Sequence, residues 1–72
     1  MSVSTLIKKT RMECILSQDQ FAKELGVTQI TITRWETGKS TPNYSTMKRL
    51  LEYCRKRGVD TTDLYNEWKD NK

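Results

Sequence analysis

Histidine is absent from this chain of 72 residues, and cysteine occurs only twice, as Cys14 and Cys54. Neither has a second cysteine near it in sequence, which excludes a zinc site of the usual cysteine and histidine type, so no metal and no cofactor is expected. Both fall at apolar positions of predicted helices, which fits buried free thiols. A disulfide between them is the alternative, poorly supported in a cytosolic setting. No stretch approaches the roughly 18 apolar residues of a membrane span, and the amino end lacks the charged and apolar regions of a signal peptide. The expectation is a soluble cytoplasmic chain. Clustered carboxylates and a glycine-rich phosphate loop beside a strand are also missing, so no catalytic constellation is visible and an enzyme is the class least expected.

Seventy-two residues predict one domain over 1–72, with a stability margin of only a few kcal/mol. The formal net charge of +4 is unevenly spread. Residues 1 to 40 hold six basic and four acidic side chains, residues 41 to 58 five and one, and residues 59 to 72 two and four. The basic excess thus sits in the fourth predicted helix, and a pI near 9.3 suits a partner with phosphates. Arg55, Lys56 and Arg57 also lie in the last turn of that helix, where a favourable interaction with the helix dipole explains them equally.

Five helices are predicted and nothing reads as a strand. Ser4 can cap a first helix running to about Cys14, with Leu6, Ile7 and Cys14 covering one side and Lys8, Lys9 and Glu13 the other. Ser17 and Gln20 form a capping box, with Leu16 and Phe21 as hydrophobic staple, and Phe21, Ala22 and Leu25 then face inward. Gly26 ends that helix. Thr28 caps the third, where Val27 and Ile32 repeat the staple, and Gly38 stops it before a polar loop containing Pro42. The fourth helix starts near Asn43 and runs to Arg57, carrying Met47, Leu50, Leu51 and Cys54 on a core-facing stripe, with Gly58 as its stop. Asp60 caps the fifth, which runs to about Lys69 with Val59 and Leu64 as staple.

The segment from Ser17 to Pro42 is therefore two short capped helices joined by a glycine turn, the sequence form of a helix-turn-helix. At about 100° per residue, Gln29, Ile30, Thr33 and Arg34 of the second helix share one arc of roughly 140°. Thr31, Ile32, Trp35 and Glu36 fill the opposite one, where Ile32 and Trp35 supply a core. The outward arc can read DNA. Arg34 suits guanine O6 and N7, Gln29 suits adenine N6 and N7, and an exposed Ile30 offers apolar contact to a thymine methyl group. The bland alternatives are a solvated Arg34 paired with Glu36 and an isolated surface isoleucine.

From about Leu6 to Leu64 the chain resembles the phage-repressor and Cro-type helix-turn-helix proteins. The resemblance rests on Ser17-Gln18, Phe21-Ala22, Leu25-Gly26-Val27-Thr28, Ile32 and Trp35-Glu36 with Gly38 and Pro42. It implies an all-α, compact five-helix domain whose helix from Thr28 to Thr37 enters the major groove. It also implies base contacts from Gln29, Ile30 and Arg34, and Thr33, on the same arc, is expected as a further base contact. Gln18 resembles a position that binds a phosphate and braces the reading helix. Thr28 opens the reading helix, Lys39 and Asn43 fall in the loop along the DNA backbone, and all three are expected to meet phosphates. Arg11 and Glu36 match a pair that forms a buried salt bridge between the first and third helices. Ile30 departs from the family pattern, where a polar reader is common.

The function implied is a transcriptional regulator, expected to be a repressor, that binds a roughly palindromic double-stranded DNA operator as a homodimer in a bacterial or phage-infected host cell. An antitoxin on the same fold is one alternative. A protein-interaction module that has lost DNA binding is another, with Leu64, Tyr65 and Trp68 as its surface. The same three residues are the expected dimer contact, through aromatic anchors, although packing of these residues against the first helix is a competing use.

Overall fold

In the computed structural model, which describes residues 2–70, the chain forms α1 (Val3–Glu13), α2 (Gln18–Leu25), α3 (Gln29–Glu36), α4 (Tyr44–Lys56) and α5 (Thr62–Asp70). No strand occurs among the described residues. Residues 1, 71 and 72 of the expected domain lie outside them. The fold is all-α, with a helix-turn-helix formed by α2 and α3.

The helix starts follow local hydrogen bonding. Ser17 Oγ accepts from the backbone N–H of Gln20 while Gln20 Oε1 accepts from that of Ser17, a complete capping box. Thr28 Oγ1 accepts from Thr31 N–H, and Asn43 Oδ1 from Thr46 N–H. Two starts differ from expectation. Ser2, not Ser4, caps α1 and accepts from Thr5 N–H, because Val3 lies one turn before Leu6 and Ile7 on the same stripe and is buried with them. At the other end α5 begins at Thr62, so buried Thr61 holds the cap position instead of Asp60. Asp60 still receives the free Thr62 N–H, at 3.0 Å, together with the Thr62 hydroxyl at 2.7 Å. Those two bonds, the backbone one first, hold the Asp60 carboxyl below its ordinary value.

Four helices end alike, in the paired backbone bonds of a Schellman turn. The residue in the left-handed region is Gly26 after α2, with φ +71°, and Gly38 and Gly58 after α3 and α4. After α1 the same place is taken by Ile15, with φ +58° and 87% exposed. Ile15 N–H bonds to Met12 O at 2.9 Å and Leu16 N–H to Arg11 O at 3.4 Å.

The core gathers one face from each helix: Val3, Leu6 and Ile7; Phe21, Ala22 and Leu25; Ile32 and Trp35; Met47, Leu50, Leu51 and Cys54; Leu64 and Trp68. Cys14 and Cys54 are free, buried and 3.8 Å apart, Sγ to Sγ. Burial, with Cys14 beside it, pushes the Cys54 thiol up to about 12. Leu64 and Trp68 correct the expected exposed patch. Leu64 is 1% and Trp68 8% exposed, α5 packs on α1, and the Trp68 indole N–H donates to Pro42 O at 3.0 Å. A small domain needs those side chains for its own interior, so of the three only Tyr65 offers surface, at 39% exposure.

Candidate nucleic-acid interface

The capping of α3 by Thr28 and the wedge of Ile32 and Trp35 into the core turn its other face to solvent. Gln29, Ile30, Thr33 and Arg34 are all exposed, Ile30 at 72%. The side chains of Gln29 and Arg34 have no partner among the described residues. Glu36 is therefore not the mate of Arg34. It is buried to 4% exposure on the opposite arc and receives Arg11 Nε at 2.7 Å and Arg11 Nη2 at 3.1 Å. Arg11 Nη1 donates in addition to Leu16 O at 2.8 Å, so one guanidinium ties α1 to α3 and to the α1–α2 turn. A two-pronged bond of this kind is the strong form of the arginine–carboxylate pair.

Gln18 connects this pair to the outward row. Its Nε2 donates to Glu36 Oε1 at 3.1 Å, and its Oε1 accepts from the Thr33 hydroxyl at 3.0 Å. The Thr33 hydroxyl lies 3.2 Å from Gln29 O as well. This last link was not legible in the sequence. The only signal for it is that Gln18 opens α2 while Thr33 stands one turn after the start of α3, which a steep crossing brings together.

Two of the three phosphate candidates in the turns have structural bonds too. Thr28 and Asn43 use their side-chain oxygens as caps, which leaves the Asn43 amide nitrogen uncommitted. Lys39 follows the Gly38 turn, with its N–H on Arg34 O at 2.9 Å, and its exposed ammonium has no partner among the described residues. Elsewhere the basic excess is partly structural: Arg55 Nε donates to Thr61 Oγ1 at 3.1 Å, and Arg57 donates to Cys14 O at 3.4 Å while lying over the Tyr53 ring. Lys48, Arg49 and Lys56 are exposed.

A family model described as helix-turn-helix matches residues 7–60, well over half of the chain. The chain belongs to that helix-turn-helix family. Comparison with curated proteins and with solved structures gives no match. The match agrees with the resemblance to phage-repressor and Cro-type proteins, and it covers α2 and α3 with the core that orients them. This helix-turn-helix domain is of a kind that binds DNA in transcription regulation and is not typically enzymatic. Among the described residues of the helix-turn-helix protein no helix is long and apolar enough to cross a membrane.

Proposed function

We propose that this chain is a repressor that binds a roughly palindromic operator as a dimer, with α3 in the major groove. The observation that carries the reading is that Gln29 and Arg34, on the outward row of α3, have no side-chain partner among the described residues. Gln29 and Arg34 project from a helix whose other face is anchored by Ile32, Trp35 and the Arg11–Glu36 pair. A side chain bound to nothing within the protein keeps its donors for a base edge. Gln29, Ile30 and Arg34 are the base readers in this proposal, and Gln18, Thr28, Lys39 and Asn43 meet phosphates, which position the helix without reading sequence.

Dimer binding follows from information content. One reading helix covers about four base pairs, and two copies related by a two-fold axis double that, with their helices about 34 to 36 Å apart. With Leu64 and Trp68 buried, the contact falls to Tyr65 and to Tyr44, which is 63% exposed and stacks against Trp68 at 6.4 Å between centroids. Selection of bound oligonucleotides from a random pool, followed by footprinting and sedimentation on the winner, tests the proposal. The expected result is two inverted half-sites one turn apart carrying two protein copies. Failure to enrich any sequence would remove the reading, and one copy on an unrepeated site would remove the dimer.

A further inference from the structure

The Gln18 amide is held at both ends, by a carboxylate and by a hydroxyl. On one side stands the Glu36 carboxylate, which can only accept and which Arg11 fixes from behind with two bonds. On the other stands the Thr33 hydroxyl, 3.0 Å from Gln18 Oε1. The carboxylate decides the orientation of the amide, since a hydroxyl can accept as well as donate. Turned over, it would set its oxygen against the carboxylate oxygen, two acceptors with no hydrogen between them. In the orientation observed, Gln18 Oε1 is occupied by Thr33, one Nε2 hydrogen by Glu36, and the second Nε2 hydrogen has no partner among the described residues.

The hydroxyl of Thr33 has a single hydrogen, and both acceptors within its reach, Gln18 Oε1 and Gln29 O, belong to the protein. Thr33 therefore has no hydrogen left for a base edge, although it stands on the outward arc. We infer that Thr33 is a positioning residue: Glu36 sets which way the Gln18 amide faces and Thr33 holds its oxygen end in place, so that an N–H stays aimed at a DNA phosphate. The inference rests on the DNA-binding reading above. A phosphate oxygen accepts and does not donate, so an amide anchored at its nitrogen end alone aims its second N–H away from the phosphate part of the time and binds in proportion to the competent fraction.

Thr33→Val keeps the size of the side chain and removes the hydrogen, while Thr33→Ser restores it. With the full chain and the selected operator, Thr33→Val should weaken binding by roughly three- to tenfold, and the salt dependence should flatten by about one phosphate contact. The base preference at every operator position should stay as in the parent, Thr33→Ser should bind as the parent does, and Thr33→Val should add nothing once Gln18→Ala is in place. A change of preference confined to one base pair, or a full effect of Thr33→Val in the Gln18→Ala background, would overturn the inference and return Thr33 to the base readers. A parent that selects no DNA at all would overturn the DNA-binding reading and this inference together, whereas the two outcomes just named leave that reading standing.

Discussion

At the scale of single residues, the side chains of α3 and of the turn after it divide into those with partners and those without, and the two groups should fail differently. Arg34→Ala removes an unpartnered guanidinium and should cost about 1 to 3 kcal/mol of specific binding, concentrated at one base pair, with the fold unchanged. Lys39→Ala should instead weaken all sequences alike and lower the salt slope by about one contact. Titrations of operator variants at two salt concentrations separate these outcomes, and equal affinity of Arg34→Ala and parent for the operator would take Arg34 out of the reading set. Glu36 belongs to the other group. Glu36→Ala leaves the Arg11 side chain, 11% exposed, with Leu16 O alone and no opposite charge, and removes the acceptor of Gln18 Nε2. Loss of one member of a buried pair costs roughly 3 to 5 kcal/mol, enough to unfold much of so small a domain. Thermal melting reads it directly, and an unchanged midpoint would show that the pair contributes nothing to stability.

At the scale of elements, the helix ends show which parts of the fold were legible in the sequence. Ser17, Thr28 and Asn43 cap where expected because each cap and its target lie three residues apart. Ser2 displaced Ser4, and Thr61 displaced Asp60, because the tertiary core decided which residue had to be inside. The outward row of α3 could be read by angle alone, whereas the Gln18–Thr33 bond spans 15 positions and the Trp68–Pro42 bond 26, beyond any local pattern. The end of α1 came at Cys14 as expected, but its left-handed turn left no sequence signal, since Ile15 occupies a place that glycine fills after α2, α3 and α4. The left-handed conformation costs an L-residue about 1 to 2 kcal/mol, and an 87% exposed side chain offsets little of it by burial. Glycine's greater freedom in the unfolded chain returns about 0.5 to 1 kcal/mol of that. Ile15→Gly should therefore raise stability by up to about 1 kcal/mol, seen as a higher urea midpoint at unchanged slope. A lower midpoint would mean that Ile15 makes contacts its exposure does not suggest.

At the scale of the whole molecule, α1 and α4 meet at their carboxyl ends through the thiols of Cys14 and Cys54. The unfolded chain releases the Cys54 proton near the ordinary value of 9.0, while the fold holds it up to about 12. Below that ordinary value the contribution is fully present. Above it the unfolded state binds fewer protons than the folded one, so stability falls as pH rises toward about 12, by up to about 1.4 kcal/mol per pH unit. Denaturant unfolding near pH 8 and near pH 10 should show a larger loss for the parent than for Cys54→Val, and parallel losses would mean the thiol does not drive the change. The helices these thiols help to join are short. The proposed reading helix α3 has eight residues and α2 another eight, far below the roughly 12 to 15 that hold a helix in water without packing. Neither can persist once the core opens, so the reading surface exists only while the whole domain is folded. Cleavage of such a chain by a protease follows the population of the open form, and a ligand that binds only the folded form depletes it. For a DNA-binding domain of this build, occupancy of its DNA and survival of the protein become one variable: molecules on DNA should persist, and those left free by a lost site should be the first to be degraded.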